Sequence, residues 1–166
     1  MKFSIDKNEL LKSLQLLSKA IPVRSTLQII TNALFTIKNE TLFLRATDLE
    51  ISISIKCDVE NFSEGSIAIP LSKLLEITNA LSSGLINFSV SDIGKVNIDS
   101  NNGNYTIMGH PSEEFPKDQI VENSNNLNIS SADLKDIIIN TSYAASKEDH
   151  KPVLQGVFFQ DRKSVV

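Results

Sequence analysis

Three pairs of acidic residues are the first candidates for chemistry, because two carboxylates around one water can act as general acid and general base. They are Asp48 with Glu50, Asp58 with Glu60, and Glu113 with Glu114. Such pairs in strand ends and turns usually face solvent, and nothing in their spacing places two carboxylates around one water. A hydrolase or transferase that uses these pairs is therefore a weaker hypothesis than a non-catalytic role. It would require a metal-dependent activity that is lost when Asp48 or Glu50 is changed.

The other reactive side chains give no catalytic or metal site. His110 and His150 are isolated in polar segments, and Cys57 closes a predicted strand. A single cysteine excludes an internal disulfide and any site with several cysteine ligands. Gly94-Lys95 lacks the upstream glycine of a phosphate-binding loop. The sequence predicts no catalytic residue, no metal and no cofactor.

The basic residues form a more informative pattern, because they recur at the ends of predicted helices. They are Lys7, Lys12, Lys19, Arg24, Lys73, Lys147 and Lys151. Any one of these residues can be explained as part of an ordinary charged helix surface. Their recurrence at helix ends is better explained by a basic surface that the helices form together. The net charge of -4 excludes a chain whose whole surface is cationic, but it allows a local basic stripe.

The composition indicates a folded chain, since 41% of the 166 residues are hydrophobic and 22% are charged. The N-terminus lacks the apolar segment of a signal peptide, and no apolar run approaches the length of a membrane span. We therefore expect a soluble cytoplasmic protein without membrane partners.

The hydrophobic periodicity predicts strands mixed with short helices. A strand at 3–5 precedes a capping box of Asp6 and Glu9, and a helical leucine repeat follows, ending near Ala20. Alternation from Gln28 onward predicts an antiparallel meander with one solvated face. The remaining predictions are a strand at 65–70, a helix at 72–81 with Gly84 as its C-cap, strands at 86–91, 95–99 and 104–108, and a linker at 109–126.

The opening pattern returns 124 residues later. Ile5 aligns with Ile129, Leu10 with Leu134, Ser18 with Ser142, Ala20 with Ala144 and Phe35 with Phe159. A capping box at 130–133, a helix and a strand at 153–159 repeat the first order of elements. We therefore expect a complete domain at 1–122 and the truncated start of a second at 123–166. A piece of about 40 residues seldom folds alone, so the chain is interpreted as a fragment of a longer protein.

Several segments resemble one known family. They are MKFSI at 1–5, LLKSL at 10–14, RSTLQII at 24–30, ATDLE at 46–50, EFP at 114–116 and KPVLQG at 151–156. The chain is similar to the bacterial sliding clamp, the beta subunit of DNA polymerase III. The resemblance implies an α+β DNA-clamp fold of repeated domains, with antiparallel sheets outside and two helices per domain facing a DNA channel. It also implies a head-to-tail homodimer ring of three domains per protomer, the third absent here, that encircles duplex DNA without catalysis.

The same resemblance implies roles for individual residues. Those implied to contact DNA are Arg24, Ser72, Lys73, Lys147, Glu148, Lys151 and Pro152. Serine at 72 weakens one basic contact, and Glu148 with Asp149 adds negative charge that Lys147 and Lys151 must outweigh. Tyr105 and Ile107 are implied to lie at the dimer interface. Leu154 is implied to line a cleft for peptides of the polymerase III alpha subunit and the clamp loader. The alternative function is a non-catalytic scaffold domain that binds no DNA.

Overall fold

A computed structural model describes residues 1–22, 25–117, 128–148 and 150–160 of the chain. The chain divides into two compact units, Met1–Gln119 and Ile120–Val166. The predicted domain boundary between residues 122 and 123 lies outside the described residues.

Within the described residues, the first unit contains two antiparallel sheets. Their strands are β1 (Lys2–Asp6), β2 (Asn32–Lys38), β3 (Thr41–Thr47), β4 (Ser52–Asp58), β5 (Glu60–Ser63), β6 (Gly65–Pro70), β7 (Leu85–Val90), β8 (Lys95–Ser100) and β9 (Gly103–Met108). One sheet has the order β5-β1-β7-β8-β9 and the other β4-β3-β2-β6. The predicted meander is therefore confirmed as β2, β3 and β4. The sequence did not predict β5, because all four of its residues are exposed and leave no apolar alternation to detect.

Two helices pack on the apolar sides of these sheets. Helix α1 (Lys7–Leu17) is followed by a short 3-10 turn that ends at Ala20, as predicted. The carboxylate of Asp6 caps α1 by accepting the backbone N–H groups of Asn8 at 2.8 Å and Glu9 at 3.2 Å. Helix α2 (Leu71–Ala80) starts directly after β6, where the predicted proline stop at Pro70 is found.

Gly84 does not cap α2, contrary to the prediction. The helix ends at Ala80, and Leu81 leaves it in an extended conformation with its side chain buried. Burial of Leu81 in the core sets the end of the helix, so no left-handed residue is needed there. Gly84, at φ +134°, instead accepts the backbone N–H of Lys7 at 2.9 Å and so ties the loop after α2 to the start of α1.

The core of the first unit lies between the sheets and under the helices. Phe3 of β1 stacks on Phe88 of β7 with ring centroids 4.6 Å apart, and Phe35 of β2 lies 6.4 Å from Phe3. These rings join the two sheets, since Phe35 belongs to the four-stranded sheet and the other two to the five-stranded sheet. The helices contribute fully buried leucines to the same cluster, namely Leu10, Leu14, Leu17 and Leu74.

Residues 109–117, which we call the strap, are packed against the first unit, although the sequence predicted a linker at 109–126. His110 exchanges two backbone hydrogen bonds with Ala68 on the edge of β6, at 2.7 and 3.0 Å. Phe115 is buried, with the guanidinium of Arg45 lying 5.1 Å from its ring centroid. Arg45 also donates from Nη2 to the carbonyl oxygen of Pro116. The polar, proline-bearing composition concealed these contacts; residues 118–127 lie outside the described part of the chain.

We expect Gly109→Ala to destabilise the first unit by about 1–3 kcal/mol, because the strap approaches β6 too closely for a side chain. A Cβ at position 109 would lie 2.7 Å from Cγ1 of Ile67 and 2.9 Å from the carbonyl oxygen of Ala68. Urea unfolding of the two proteins measures the difference. Gly156→Ala is the matched control, since a Cβ there meets nothing within 4 Å. Equal effects of the two substitutions would contradict the prediction.

The second unit repeats the capped helix and the 3-10 turn of the first, but not β1, since residues 128–130 have no regular structure. Its helix α3 (Ser131–Ser142) is capped by Ser130, whose hydroxyl accepts the N–H of Asp133 at 3.1 Å and donates to the Asp133 carboxylate at 2.7 Å. The two caps, Asp6 and Ser130, lie 124 residues apart, as the sequence repeat predicts. A 3-10 turn also recurs at that spacing, at Gln28–Thr31 and at Pro152–Leu154.

The predicted strand at 153–159 is wrong. Its start is the 3-10 turn at Pro152–Leu154, and residues 157–160 have no regular structure. In the first unit the corresponding strand, β2, is held between β3 and β6. The described part of the second unit offers no such neighbours, so an apolar segment that could pair as a strand does not do so. In the first unit the corresponding 3-10 turn, Gln28–Thr31, delays β2 to Asn32, although the sequence predicted alternation from Gln28.

Candidate nucleic-acid interface

The outward sides of α1 and α2 form one surface, which we call the helix face. The two helices contact each other, and their buried sides are turned into the core. Lys12, Lys19, Ser72 and Lys73 are exposed on the helix face, and Lys7 is half-buried at its edge. The exposed amides Gln15 and Asn79 share this surface. These amides are not among the contacts predicted from the sequence, although their positions off the leucine stripe indicate that they are exposed.

Charge is segregated between the helix face and the rest of the unit. Residues 7–20 and 71–80 contain four lysines and two glutamates, a net charge of +2. Among the other described residues up to 117, six are lysine or arginine and eleven are aspartate or glutamate, a net charge of -5. The helix face is therefore positive within an acidic chain, which is the distribution expected of a local anion-binding surface.

Ser72 and Lys73 lie together in the first turn of α2. The residue before this turn is Pro70, and no side chain caps it. The first N–H groups of a helix carry a partial positive charge that adds to the charge of Lys73, while the Ser72 hydroxyl supplies a neutral donor. Both predicted residues are thus placed where they could contact an anion. Arg24, the third predicted residue nearby in the sequence, lies outside the described residues.

The second unit contains the other predicted contact loop, at residues 147–152. Lys147, Glu148, Lys151 and Pro152 are all exposed. The Glu148 carboxylate lies 3.4 Å from Nε2 of His150, so it is directed at the histidine. The loop is closed by the N–H of Ser146, which donates to the carbonyl oxygen of Leu154 at 2.8 Å. Asp149 lies outside the described residues, and Leu154 is 55% exposed on the turn that follows.

The predicted interface residues lie on an edge strand. Among the described residues β9 pairs only with β8, so its other side carries unpaired backbone groups. Tyr105 faces Ile98, and Ile107 faces Val96, so both side chains are on the core side of the sheet. Ile107 packs against the core, whereas Tyr105 is 37% exposed at its border. An edge with an exposed aromatic ring can accept another strand.

Two of the reactive groups considered first, Asp48 and Cys57, have structural roles. The Asp48 carboxylate accepts the backbone N–H groups of Ile51 at 2.6 Å and Glu50 at 3.0 Å, and these bonds lower its pKa. Burial raises the pKa of the Cys57 thiol, whose Sγ lies 3.3 Å from Oγ of Ser13. No cluster of three metal-ligating side chains occurs among the described residues. No helix in the described ranges has both the length and the apolar character needed to cross a bilayer.

Asp48→Asn should destabilise the fold at neutral pH, and the difference from the parent should vanish in acid. A carboxylate whose pKa is lowered on folding stabilises the fold above about 3.8, its ordinary value, and loses that effect as the pH falls through the folded value. Urea unfolding between pH 7 and pH 3 measures the difference, with Asp92→Asn controlling for net charge. A folded-state titration midpoint of Asp48 at or above 3.8 would contradict this assignment.

The sequence and the fold of the chain match those of known proteins. The family described as DNA polymerase III beta subunit, N-terminal domain, matches residues 1–120. Beta sliding clamps of Pseudomonas aeruginosa and Vibrio cholerae are 30% and 26% identical over 162 and 161 residues. The crystal structure of the DNA polymerase III subunit beta from Pseudomonas aeruginosa superposes with a TM-score of 0.87 at 29% identity, covering 94% of this chain and 43% of that one.

These matches define the class as a two-sheet domain of the clamp type. The chain belongs to the DNA polymerase III beta subunit family. The α+β clamp fold expected from the sequence is confirmed by the two antiparallel sheets and the structural match. The alignments with the two curated relatives cover 96% of this chain and 44% of each relative's length.

Proposed function

We propose that this chain provides the first domain, and the start of a second, of a ring-shaped clamp that encircles duplex DNA and tethers the replicative polymerase. The observation that carries the proposal is the segregation of charge in a chain of this family. The helix face carries +2, and the rest of the described first unit carries -5. In a ring with helices lining the hole, DNA meets the positive side while the acidic sheets face outward.

The modest charge of the helix face suits a ring that slides. Each phosphate contact adds affinity, friction and salt sensitivity together, so many strong contacts would hold the ring in place. A closed ring is retained by topology instead. A few flexible lysines, such as Lys12, Lys19 and Lys73, then centre the duplex without fixing it at one register. Arg24, Ser72 and the loop at 147–152 supply the remaining proposed contacts.

Ring closure assigns a role to the edge of β9. A head-to-tail homodimer would pair this edge, with Tyr105 and Ile107, against the third domain of the other protomer. That pairing would satisfy the free backbone groups and cover the exposed part of Tyr105. Leu154 would form one wall of a cleft for peptides of the polymerase alpha subunit and the clamp loader. The proposed role is structural, without a catalytic step, and we propose that the protein acts in the cytoplasm.

A chimera tests the proposal directly. Residues 1–166 replace the aligned part of the Pseudomonas aeruginosa beta sliding clamp, and the product is loaded on nicked circular DNA by that organism's clamp loader. We expect the chimera to remain on the circle during gel filtration and to be released when a restriction enzyme linearises the DNA. The unmodified relative serves as the positive control.

Two outcomes would contradict the proposal. Equal retention on circular and linear DNA would show binding without encirclement. A folded, dimeric chimera that never loads would favour the alternative, a scaffold domain that binds no DNA. Analytical ultracentrifugation of the chimera separates this second outcome from a simple failure of the ring to close.

A further inference from the structure

The outer side of the four-stranded sheet carries a second, separate surface. Strand register places Thr36, Phe43 and Lys56 side by side across β2, β3 and β4, and places Leu34, Arg45 and Ser54 in the adjacent row. The alternating residues Phe35, Ile37, Leu42 and Leu44 are buried in the core. The first set therefore points away from the core, on the side that the helices do not cover.

The strap covers only half of this outer side. Ala68 of β6 is in register with Leu34 on the outer side, yet it is fully buried, because His110 of the strap bonds to its backbone. Arg45 marks the border, with its guanidinium over the ring of Phe115. Beyond Arg45, Lys38, Ser54 and Lys56 are exposed, and Phe43 is 37% exposed. We call this open half, formed by Leu34, Thr36, Lys38, Phe43, Ser54 and Lys56, the outer patch.

The outer patch combines an apolar depression with positive charge. A depression of about 300 Å³ is lined by Leu34, Phe43 and the side chains around them. Lys38 also lines it, and Nζ of Lys56 lies 5.6 Å from the centroid of the Phe43 ring. Among the described residues neither lysine has a carboxylate within 4.0 Å. The outward positions of these three strands carry three basic residues, Lys38, Arg45 and Lys56, and one acidic residue, Asp58.

We propose that the outer patch is a docking surface for an acidic segment of a partner protein, one apolar side chain of which enters the depression. Carboxylates on either side of that side chain would meet the ammonium groups of Lys38 and Lys56, neither of which is paired with a carboxylate in the described part of the chain. The apolar side chain would contact Leu34 and the edge of the Phe43 ring, leaving Lys56 over the face of that ring. Charge complementarity thus selects a negatively charged peptide, although the chain as a whole is itself acidic.

The position of Lys56 argues against nucleic acid as the occupant. Single-stranded nucleic acid binds such surfaces by stacking bases on aromatic faces. The ammonium of Lys56 already lies over the face of Phe43, so a base could stack there only by displacing it. The outer patch lies on the sheet side and not on the helix face, so this proposal does not depend on DNA binding.

A short synthetic peptide provides the test. The probe is fluorescein-labelled and has one phenylalanine between two aspartates on each side; it is titrated with the 166-residue chain and followed by fluorescence anisotropy. We expect saturable binding that weakens at least about tenfold with Lys38→Glu plus Lys56→Glu, and similarly with Phe43→Ser. A probe with asparagines in place of the aspartates, and one with serine in place of phenylalanine, should each bind more weakly.

Matched control variants make the result specific. Lys95→Glu together with Lys2→Glu reverses two exposed charges on the other sheet, and Phe62→Ser removes a ring that is 38% exposed on β5. These variants should bind the probe like the parent, and circular dichroism confirms that all variants are folded. Absence of saturable binding, or equal losses in variants and controls, would overturn the proposal. Tighter, patch-dependent binding of an oligothymidylate would overturn it in favour of nucleic acid.

Discussion

Phe35→Ala is expected to lower the free energy of unfolding of the first unit by about 3–5 kcal/mol. Phe35 has no exposed surface, and its ring packs with Phe3 and Phe88 where the two sheets meet. Truncation removes the ring contacts of Phe35 with Phe3 and Phe88 and leaves a cavity. The neighbouring strands β3 and β6 cannot move in to fill it, because both are hydrogen-bonded to β2. Urea unfolding followed by circular dichroism measures the loss.

The repeat provides a matched control for this substitution. Phe159 occupies the position equivalent to Phe35 in the second unit, but it is 55% exposed and lies outside any strand. Phe159→Ala should therefore change stability by no more than about 0.5 kcal/mol. A comparable loss from both substitutions would mean that Phe159 is packed in solution. It would contradict the view that the neighbouring strands, and not the phenylalanine itself, create the core.

Reversing Lys12, Lys19 and Lys73 to glutamate is expected to weaken DNA binding of the chimera at least about tenfold. The slope of log affinity against log salt should fall by at least about 2.7, because each lysine that neutralises one phosphate contributes about 0.9 and each protomer of the ring carries three of them. All three side chains are exposed, so the fold should be preserved. Anisotropy titrations of primed duplex DNA at several salt concentrations measure both quantities. Once loaded, the variant should still be released only by linearisation, since topology and not charge retains it.

The control for this prediction uses lysines of the sheets. Lys2→Glu together with Lys95→Glu removes exposed positive charge from β1 and β8 while leaving the helix face intact. If DNA encounters only the helix face, the salt slope of this variant stays close to that of the parent. Equal loss in both variants would show that net charge, and not the helix face, governs binding.

Local signals in the sequence predicted the elements whose ends depend on neighbouring residues. Asp6 and Ser130 were identified as helix caps because a side-chain acceptor before a helical stripe satisfies the first free N–H groups, and both make those bonds. The predictions failed where a distant contact decides. Gln28 to Thr31 alternates like a strand but forms a 3-10 turn, and the strap has the composition of a linker although Arg45 and Ala68 hold it.

The sequence by itself determined the family, the repeat of 124 residues and the recurrence of lysines near helix ends, because caps, periodicity and charge are properties of residues close in the chain. Tertiary structure decided which of these features share a surface. Only packing of α1 against α2 brings Lys12 and Lys73 onto one helix face, and only sheet register sets Lys56 over Phe43. Pairing between strands also decides that Phe35 is buried while its repeat counterpart Phe159 is exposed. These arrangements depend on contacts between distant segments, which no local pattern encodes.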